Sequence, residues 1–210
     1  VPLSSYEALY QDNTIDMPIL SDWSKQPIER LPMALQVVRD YWPANWREDQ
    51  MRSLRRAYYA LCTHIDHQIR ILIGTLREEN LLNNTVILLT ADHGDMLGDH
   101  GLWAKRLFYE GSARVPMILV GTKNDKKIPI GAVDDRLVGL QDVMPTLLDI
   151  AGLPIPSSVE GLSMLGPKKR NVLFGECGEE RNATRMIHDG RYKLIWYPGG
   201  QVVQLFDLQT

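Results

Sequence analysis

Thr85-Val86-Ile87-Leu88-Leu89-Thr90-Ala91-Asp92-His93-Gly94 is the stretch from which the rest of the chain can be read. Val86 to Leu89 form a continuous apolar run that opens on two β-branched residues. It is too short for a free-standing helix and predicts a strand buried on both faces. The strand runs into a carboxylate and an imidazole, Asp92 and His93. Placed where a parallel strand emerges, the pair would occupy the carboxyl-end edge at which open α/β sheets bind ligands. Gly94, Gly98 and Gly101 let the following loop bend back over that edge. Lys105, thirteen positions past Asp92, then comes within reach of whatever the pair binds.

Upstream, Tyr58, Leu61, Cys62, Ile65, Ile69, Leu72, Ile73 and Leu76 recur at three- and four-residue steps. From Arg52 onward they predict an amphipathic helix with its apolar stripe on a sheet, ended by Asn80 and Asn83-Asn84. Residues 1–48 hold Pro2, Pro18, Pro27, Pro32 and Pro43, which predict an irregular wrapping segment with short helices. Trp23, Trp42 and Trp46 in it read equally as packing residues or as part of a pocket mouth. Downstream, Pro116 to Gly121 is a second run of strand length, and Lys123 to Lys127 a polar loop. A helix is expected from about Asp142, its candidate N-cap, with Pro145 in the first turn and Gly152 as the stop. Pro154, Pro156, Gly161, Gly166 and Pro167 mark a linker-like stretch. The short runs 172–174, 185–187, 192–197 and 202–206, separated by Asp189-Gly190 and Pro198-Gly199-Gly200, predict a terminal antiparallel sheet.

Composition narrows the function classes. With 44% hydrophobic and 23% charged residues the chain reads as an ordinary globular protein. A net charge of −3 gives no footprint for nucleic acid or an anionic membrane, and no apolar run approaches the roughly 18 residues of a bilayer span. Arg52, Arg55, Arg56 and Lys168-Lys169-Arg170 read as solvated faces. The two cysteines, Cys62 and Cys177, stand outside any C-x-x-C pair and read as buried free thiols, with a disulfide left open. The chain opens Val1-Pro2-Leu3-Ser4 without a start methionine, so a missing N-terminal segment is expected and cytoplasmic and periplasmic locations both stay open.

Asp92-His93-Gly94, the run Gly98 to Lys105, Phe108-Tyr109-Glu110-Gly111 and Ala113 to Ile118 follow one another in an ordered string of about thirty residues. Together they resemble the sulfatase family of the alkaline phosphatase superfamily. The Asp142 block and the pairing of Arg191-Tyr192-Lys193-Leu194-Ile195 with Leu205 to Gln209 are also similar to that family. The resemblance implies an α/β fold, an alkaline-phosphatase-like mixed sheet flanked by helices with a small C-terminal antiparallel sheet. Residues 1–152 would belong to the catalytic α/β domain, and 153–210 to the linker and an incomplete C-terminal subdomain.

The chemistry follows from the substrate. Oxygens of a sulfate or phosphate ester repel a nucleophile, so cationic groups must draw charge from the anion. Oxygen ligands with one imidazole suit a hard divalent ion. By resemblance, Asp92 and His93 are half of such a metal site, and Lys105 contacts the sulfate and helps the leaving oxygen depart. The implied ion is Ca2+; His93, where many sulfatases carry asparagine, keeps Mn2+ and Zn2+ open. His100 either reaches substrate or caps the loop. The blander alternatives make Asp92 a turn residue, His93 a loop histidine and Lys105 a solvent-facing lysine. Arg114 is expected to brace the loop through a buried carboxylate, with Glu110 as partner, and Asp95 and Asp99 to belong to the loop. His64, Asp66 and His67 read as helix-surface residues rather than ligands.

The family's nucleophile is a cysteine in a C-x-P-S-R context, oxidised to formylglycine. Neither Cys62 nor Cys177 fits, and Gly111-Ser112-Ala113-Arg114 is the nearest approach to a serine elbow and fails. The expectation is therefore part of a metal-dependent sulfatase of arylsulfatase type, inactive alone, whose nucleophile lies outside this chain. Implied partners are a small-molecule sulfate ester and the remainder of the polypeptide, with homo-oligomerisation open. Two alternatives stand: a phosphonate monoester or phosphodiester hydrolase, and an inactive fragment kept as a binding or structural module.

Overall fold

A computed structural model describes residues 2–10, 15–41, 46–123 and 125–209. Trp42, Pro43, Asn124 and Thr210 lie outside them. The helices are α1 (Ser4–Glu7), α2 (Met33–Tyr41), α3 (Glu48–Glu78), α4 (Glu110–Ala113) and α5 (Val143–Ile150). The strands are β1 (Ile87–Thr90), β2 (Met117–Val120), β3 (Leu173–Cys177), β4 (Thr184–His188), β5 (Tyr192–Tyr197) and β6 (Val202–Asp207). No helix among the described residues is long and apolar enough to cross a membrane.

Proline punctuation confines the first segment to short helices, as expected. α2 starts directly after Pro32, whose carbonyl accepts the Leu35 amide at 2.9 Å. Its Ala34, Leu35 and Val38 recur at helical spacing and are buried. They join Leu31, Met96, Leu102, Leu107 and Tyr109 and, from the C-terminal sheet, Met186, Ile195 and Tyr197 in one core. Trp23 packs on this core with its ring stacked 5.5 Å from that of Tyr109, whereas Trp46 is exposed.

α3 starts at Glu48, earlier than the apolar period indicates. Gln50 reaches back to the Arg47 amide, and Glu48 and Asp49 complement the helix dipole in the first turn. Asn80, in the left-handed region at φ 59°, follows its last turn. The expected packing of its stripe on a sheet is not found: Ile65 and Leu72 are 59% and 65% exposed, and only Met51, Arg55 and Ala60 are buried. Beyond residue 60 the described residues that cover this helix come chiefly from α1. Tyr6 stacks on His64 at 4.8 Å and its hydroxyl lies 3.2 Å from His67 Nδ1. Both histidines are thus packing residues here, as the sequence reading has them.

β1 pairs with β2 antiparallel, from Ile87 opposite Val120 to Thr90 opposite Met117. The parallel neighbour expected for β1 is absent among the described residues. β1 is half-buried rather than buried on both faces, and Ile118 and Val120 of β2 are about half exposed. No described element covers those faces.

The C-terminal sheet is the expected meander, β3-β4-β5-β6, antiparallel throughout. Asp189 accepts the Arg191 and Tyr192 amides at 2.9 and 2.7 Å, and Gly190 supplies the φ of +100° that closes this turn. Along β5 the strand period turns Lys193, Ile195 and Tyr197 inward and leaves Trp196 exposed.

α5 runs where predicted, with Gly152 at φ +68° past its end. Asp142 does not cap it. Its carboxylate accepts the Gly139 and Leu162 amides and a two-pronged contact from Arg170, at 2.6 and 2.8 Å. A guanidinium fork satisfies a carboxylate that is 1% exposed better than the end of a helix does. Arg170 is therefore not on a solvated face. Its partner, with Thr146 and Asp149, pins residues 162–164 along α5.

Candidate active site

β1 hands the chain to Ala91, Asp92 and His93 in the register that the sequence indicates. His93 is held at both ends of its ring. Its Nδ1 lies 2.7 Å from the Gly94 carbonyl oxygen, which only accepts, so Nδ1 carries the proton and Nε2 the lone pair. Lys105 Nζ donates to that lone pair across 2.5 Å, and Asp92 Oδ2 lies 3.4 Å from the same nitrogen. Asp92 Oδ1 accepts the His93 amide at 3.0 Å. Carboxylate, imidazole and ammonium thus meet at one point on the edge beyond β1. The Asp92 side chain is 85% exposed and that of His93 37% exposed.

Lys105 returns to His93 because the intervening loop is stapled. Asp95 Oδ1 accepts the Leu97 and Ala104 amides at 2.9 and 3.1 Å, and the Met96 amide donates to the Ala104 carbonyl at 2.8 Å. Ala104 and Arg106, on either side of Lys105, both take left-handed backbone, φ 60° and 75°. Such conformations cost on the order of 1 kcal/mol each in non-glycine residues and persist where the surroundings over-determine them. Gly94 is required for a different reason. Its amide donates to the Ser112 carbonyl at 2.8 Å, and a Cβ there would lie 2.1 Å from the Gly111 oxygen. The turn after His93 therefore lies directly against α4.

His100 goes elsewhere. Its Nδ1 lies 3.0 Å from Ser21 Oγ, and its ring sits about 5 Å from those of Trp23 and Tyr109. Burial lowers its pKa against a smaller opposing pull from Asp99. The structure gives it no contact with Asp92, His93 or Lys105 among the described residues. Asp95 and Asp99 are loop residues as read: Asp99 accepts the Ile19 amide at 3.0 Å.

Two expectations about cations need correction. Arg55 is buried, not solvated. It donates to the Leu97 carbonyl at 2.9 Å and approaches Asp99 at 3.5 Å, tying α3 to the loop that carries Lys105. Arg114 does pair with Glu110, at 3.7 Å, but its side chain is 81% exposed and braces little. The buried partner of Glu110 is Lys193, which the sequence reading passed over. The signals were present: Arg55 follows Met51 at a four-residue step, and Lys193 shares the inward period of β5 with Ile195 and Tyr197. The expectation of buried thiols fails for Cys62, which is exposed on α3; Cys177 is half-buried, and both are free.

Once Lys105 Nζ moves off Nε2, that nitrogen and the carboxylate oxygen 3.4 Å from it are a donor set that suits a divalent cation. The hydrogen bond at Nδ1 is the outer support usual for a ligating imidazole. Among the described residues no group of three or more His, Cys, Asp or Glu side chains gathers for a metal. Beside Asp92 opens a cavity of about 780 Å3 lined also by Glu110, Arg114, Arg136, His188 and Lys193.

Comparison with known proteins gives the family. A family model described as sulfatase matches residues 7–153, and one described as N-sulphoglucosamine sulphohydrolase, C-terminal, matches residues 98–210. The chain is 35% identical to an arylsulfatase of Clostridium perfringens over 99% of this chain and 44% of the relative. It is 35% identical to arylsulfatase K of Rattus norvegicus over 77% of this chain and 31% of the relative. Among solved structures it resembles the phosphonate monoester hydrolase of Silicibacter pomeroyi, with a TM-score of 0.82 at 24% identity, over 97% of this chain and 46% of that one. The chain thus spans less than half the length of each of these three proteins. A sulfatase family model over more than two thirds of its residues establishes that the chain belongs to the sulfatase family.

Proposed function

We propose that this chain supplies the Asp92/His93/Lys105 part of the centre of a metal-dependent sulfate ester hydrolase of arylsulfatase type. The observation that carries the reading is the meeting of these three side chains, with the His93 lone pair turned toward both Asp92 and Lys105. Asp92 and His93 would hold a divalent cation, Ca2+ first, with Mn2+ or Zn2+ favoured to the extent that the imidazole takes part. When bound, the cation would draw charge from the non-bridging oxygens of the ester. Two further ligands and the formylglycine nucleophile would come from the remainder of the polypeptide, since neither Cys62 nor Cys177 sits in a C-x-P-S-R context.

The chain's own residues have distinct tasks. Gly94 fixes the ring of His93 so that Nε2 faces the anion site. Asp92, open to solvent, contributes negative charge that keeps a cation in place. Lys105 binds a sulfate oxygen and, as a point charge on a flexible stem, follows negative charge onto the departing oxygen. His100, seated among Trp23 and Tyr109, is assigned to shaping the loop, and contact with substrate is its second reading. The sulfate ester is the substrate class supported by the arylsulfatase relatives.

A second reading, hydrolysis of a phosphonate monoester or phosphodiester, is favoured by the fold match to the Silicibacter pomeroyi enzyme. Assaying the full-length protein on an aryl sulfate and an aryl phosphonate monoester side by side separates them. Faster turnover of the sulfate is expected. Faster turnover of the phosphonate supports the second reading, and inertness toward both leaves a binding or structural module.

A further inference from the structure

Lys193 is the charged residue that the fold buries most thoroughly on the C-terminal sheet, its side chain 6% exposed. It sits on the inward face of β5 between core residues and has no solvent to hydrate its ammonium, so its partners must be protein atoms. They are the Phe108 carbonyl, 3.2 Å away, and the carboxylate of Glu110. Both belong to the segment that follows Lys105 and forms α4. The opposite side of α4 is packed on the active centre. The Ser112 carbonyl takes the Gly94 amide, and the Gly111 oxygen fills the space where a Gly94 side chain would stand. Gly94 in turn fixes the His93 ring through Nδ1, and His93 Nε2 receives Lys105. An unbroken run of direct contacts therefore joins a lysine on the C-terminal sheet to His93, the proposed cation ligand. Lys193, Glu110 and Asp92 also line the same cavity.

We propose that Lys193 is a positioning residue for the Asp92/His93/Lys105 centre, acting through Glu110 to hold α4 against Gly94 and thereby to set the His93 imidazole. The pair has a second effect of the same sign. With its ammonium in place the Glu110 carboxylate is neutralised by a buried partner. Without it, that carboxylate loses its buried partner beside the cavity that Asp92 also lines, and Arg114, largely in water, compensates little. The C-terminal sheet is in this way a working part of the centre, and a centre built without it has a correctly composed but loosely held set of ligands. The inference rests on the proposed hydrolytic reading of that centre.

The test uses the full-length protein in five forms: wild type, Lys193→Met, Lys193→Arg, Glu110→Gln and the double Lys193→Met/Glu110→Gln. Each is measured for thermal midpoint, for affinity for Mn2+ and Ca2+ by direct titration, and for kcat and KM on an aryl sulfate. Loss of a residue that orients a metal ligand from behind costs about 10- to 100-fold in affinity or rate. Lys193→Met is expected to weaken metal affinity and lower kcat by about 10-fold or more, with KM changed by less than about threefold. Lys193→Arg should restore most of the loss, and the double variant should be no worse than the worse single one, because the two residues act as one unit.

Wild-type metal affinity and kcat in a folded Lys193→Met protein overturn the inference. So does a fall in the thermal midpoint with unchanged metal affinity and kcat per folded molecule, which marks a purely structural pair. Additive losses in the double variant overturn it as well. A wild type that binds metal but hydrolyses neither sulfate nor phosphonate defeats the hydrolytic reading alone, and the metal titrations still decide the role of Lys193. A wild type that binds no metal defeats both.

Discussion

Lys105→Ala in the full-length protein should lower kcat on an aryl sulfate by about 10²- to 10³-fold, the usual cost of removing one preorganised donor from a developing negative charge. Bound metal should be unchanged. Among the described residues Lys105 meets the centre through His93 Nε2, to which it donates, and its removal leaves the Asp92 carboxylate and the His93 lone pair in place. Lys105→Arg should recover little. A planar guanidinium fork does not reproduce a compact point charge on a mobile stem. The check is steady-state kinetics alongside metal analysis of the same samples. Unchanged kcat would make Lys105 a bystander, and a parallel loss of metal would make it part of the cation site's scaffold instead.

Asp142→Ala should destabilise the folded chain by about 3–5 kcal/mol, because it strands a guanidinium whose only neutralising partner is gone. Arg170 has 15% of its side chain exposed and spends both terminal nitrogens on Asp142. The amides of Gly139 and Leu162 lose their acceptor in the same step. The same cluster sets a pH dependence. Burial pushes the Asp142 carboxyl up, but Arg170 and the two amides together outweigh it and hold the group below the ordinary aspartate value. A carboxyl whose folded pKa is depressed stabilises the fold above its unfolded value, about 4, and loses that contribution as pH falls through the folded value. Stability of the wild type should therefore drop below about pH 4 more steeply than that of Asp142→Asn, in which this group no longer titrates. Urea midpoints measured from pH 6 downward check both. Equal midpoints for wild type and Asp142→Ala would show that residues 162–164 are held by other means.

What the sequence made legible follows from the range of each physical signal. The meander β3 to β6 could be read in detail because strand period and turn chemistry are local: Asp189-Gly190 names its own turn, and Ile195 and Tyr197 alternate with exposed Trp196. The convergence of Asp92, His93 and Lys105 could be anticipated from glycines that allow a return loop. The staple that enforces the return, Asp95 holding the Leu97 and Ala104 amides, reads in sequence only as one more loop aspartate. Buried ion pairs were lost altogether. Arg55, Arg170 and Lys193 look like surface charges until tertiary structure brings Leu97, Asp142 and Glu110 to them, from 42, 28 and 83 positions away. The parallel setting expected for β1 and the packing expected of α3 on a sheet are not found among the described residues, where Ile65, Leu72 and Ile118 stand exposed.

Metal content measured on the full-length protein, wild type against Asp92→Ala, bears most directly on the centre. The wild type should retain close to one divalent ion per chain after gel filtration, and Asp92→Ala should lose it while keeping its fold by circular dichroism. Equal metal content in the two proteins, or none in either, would contradict the assignment of Asp92 and His93 as half of a cation site.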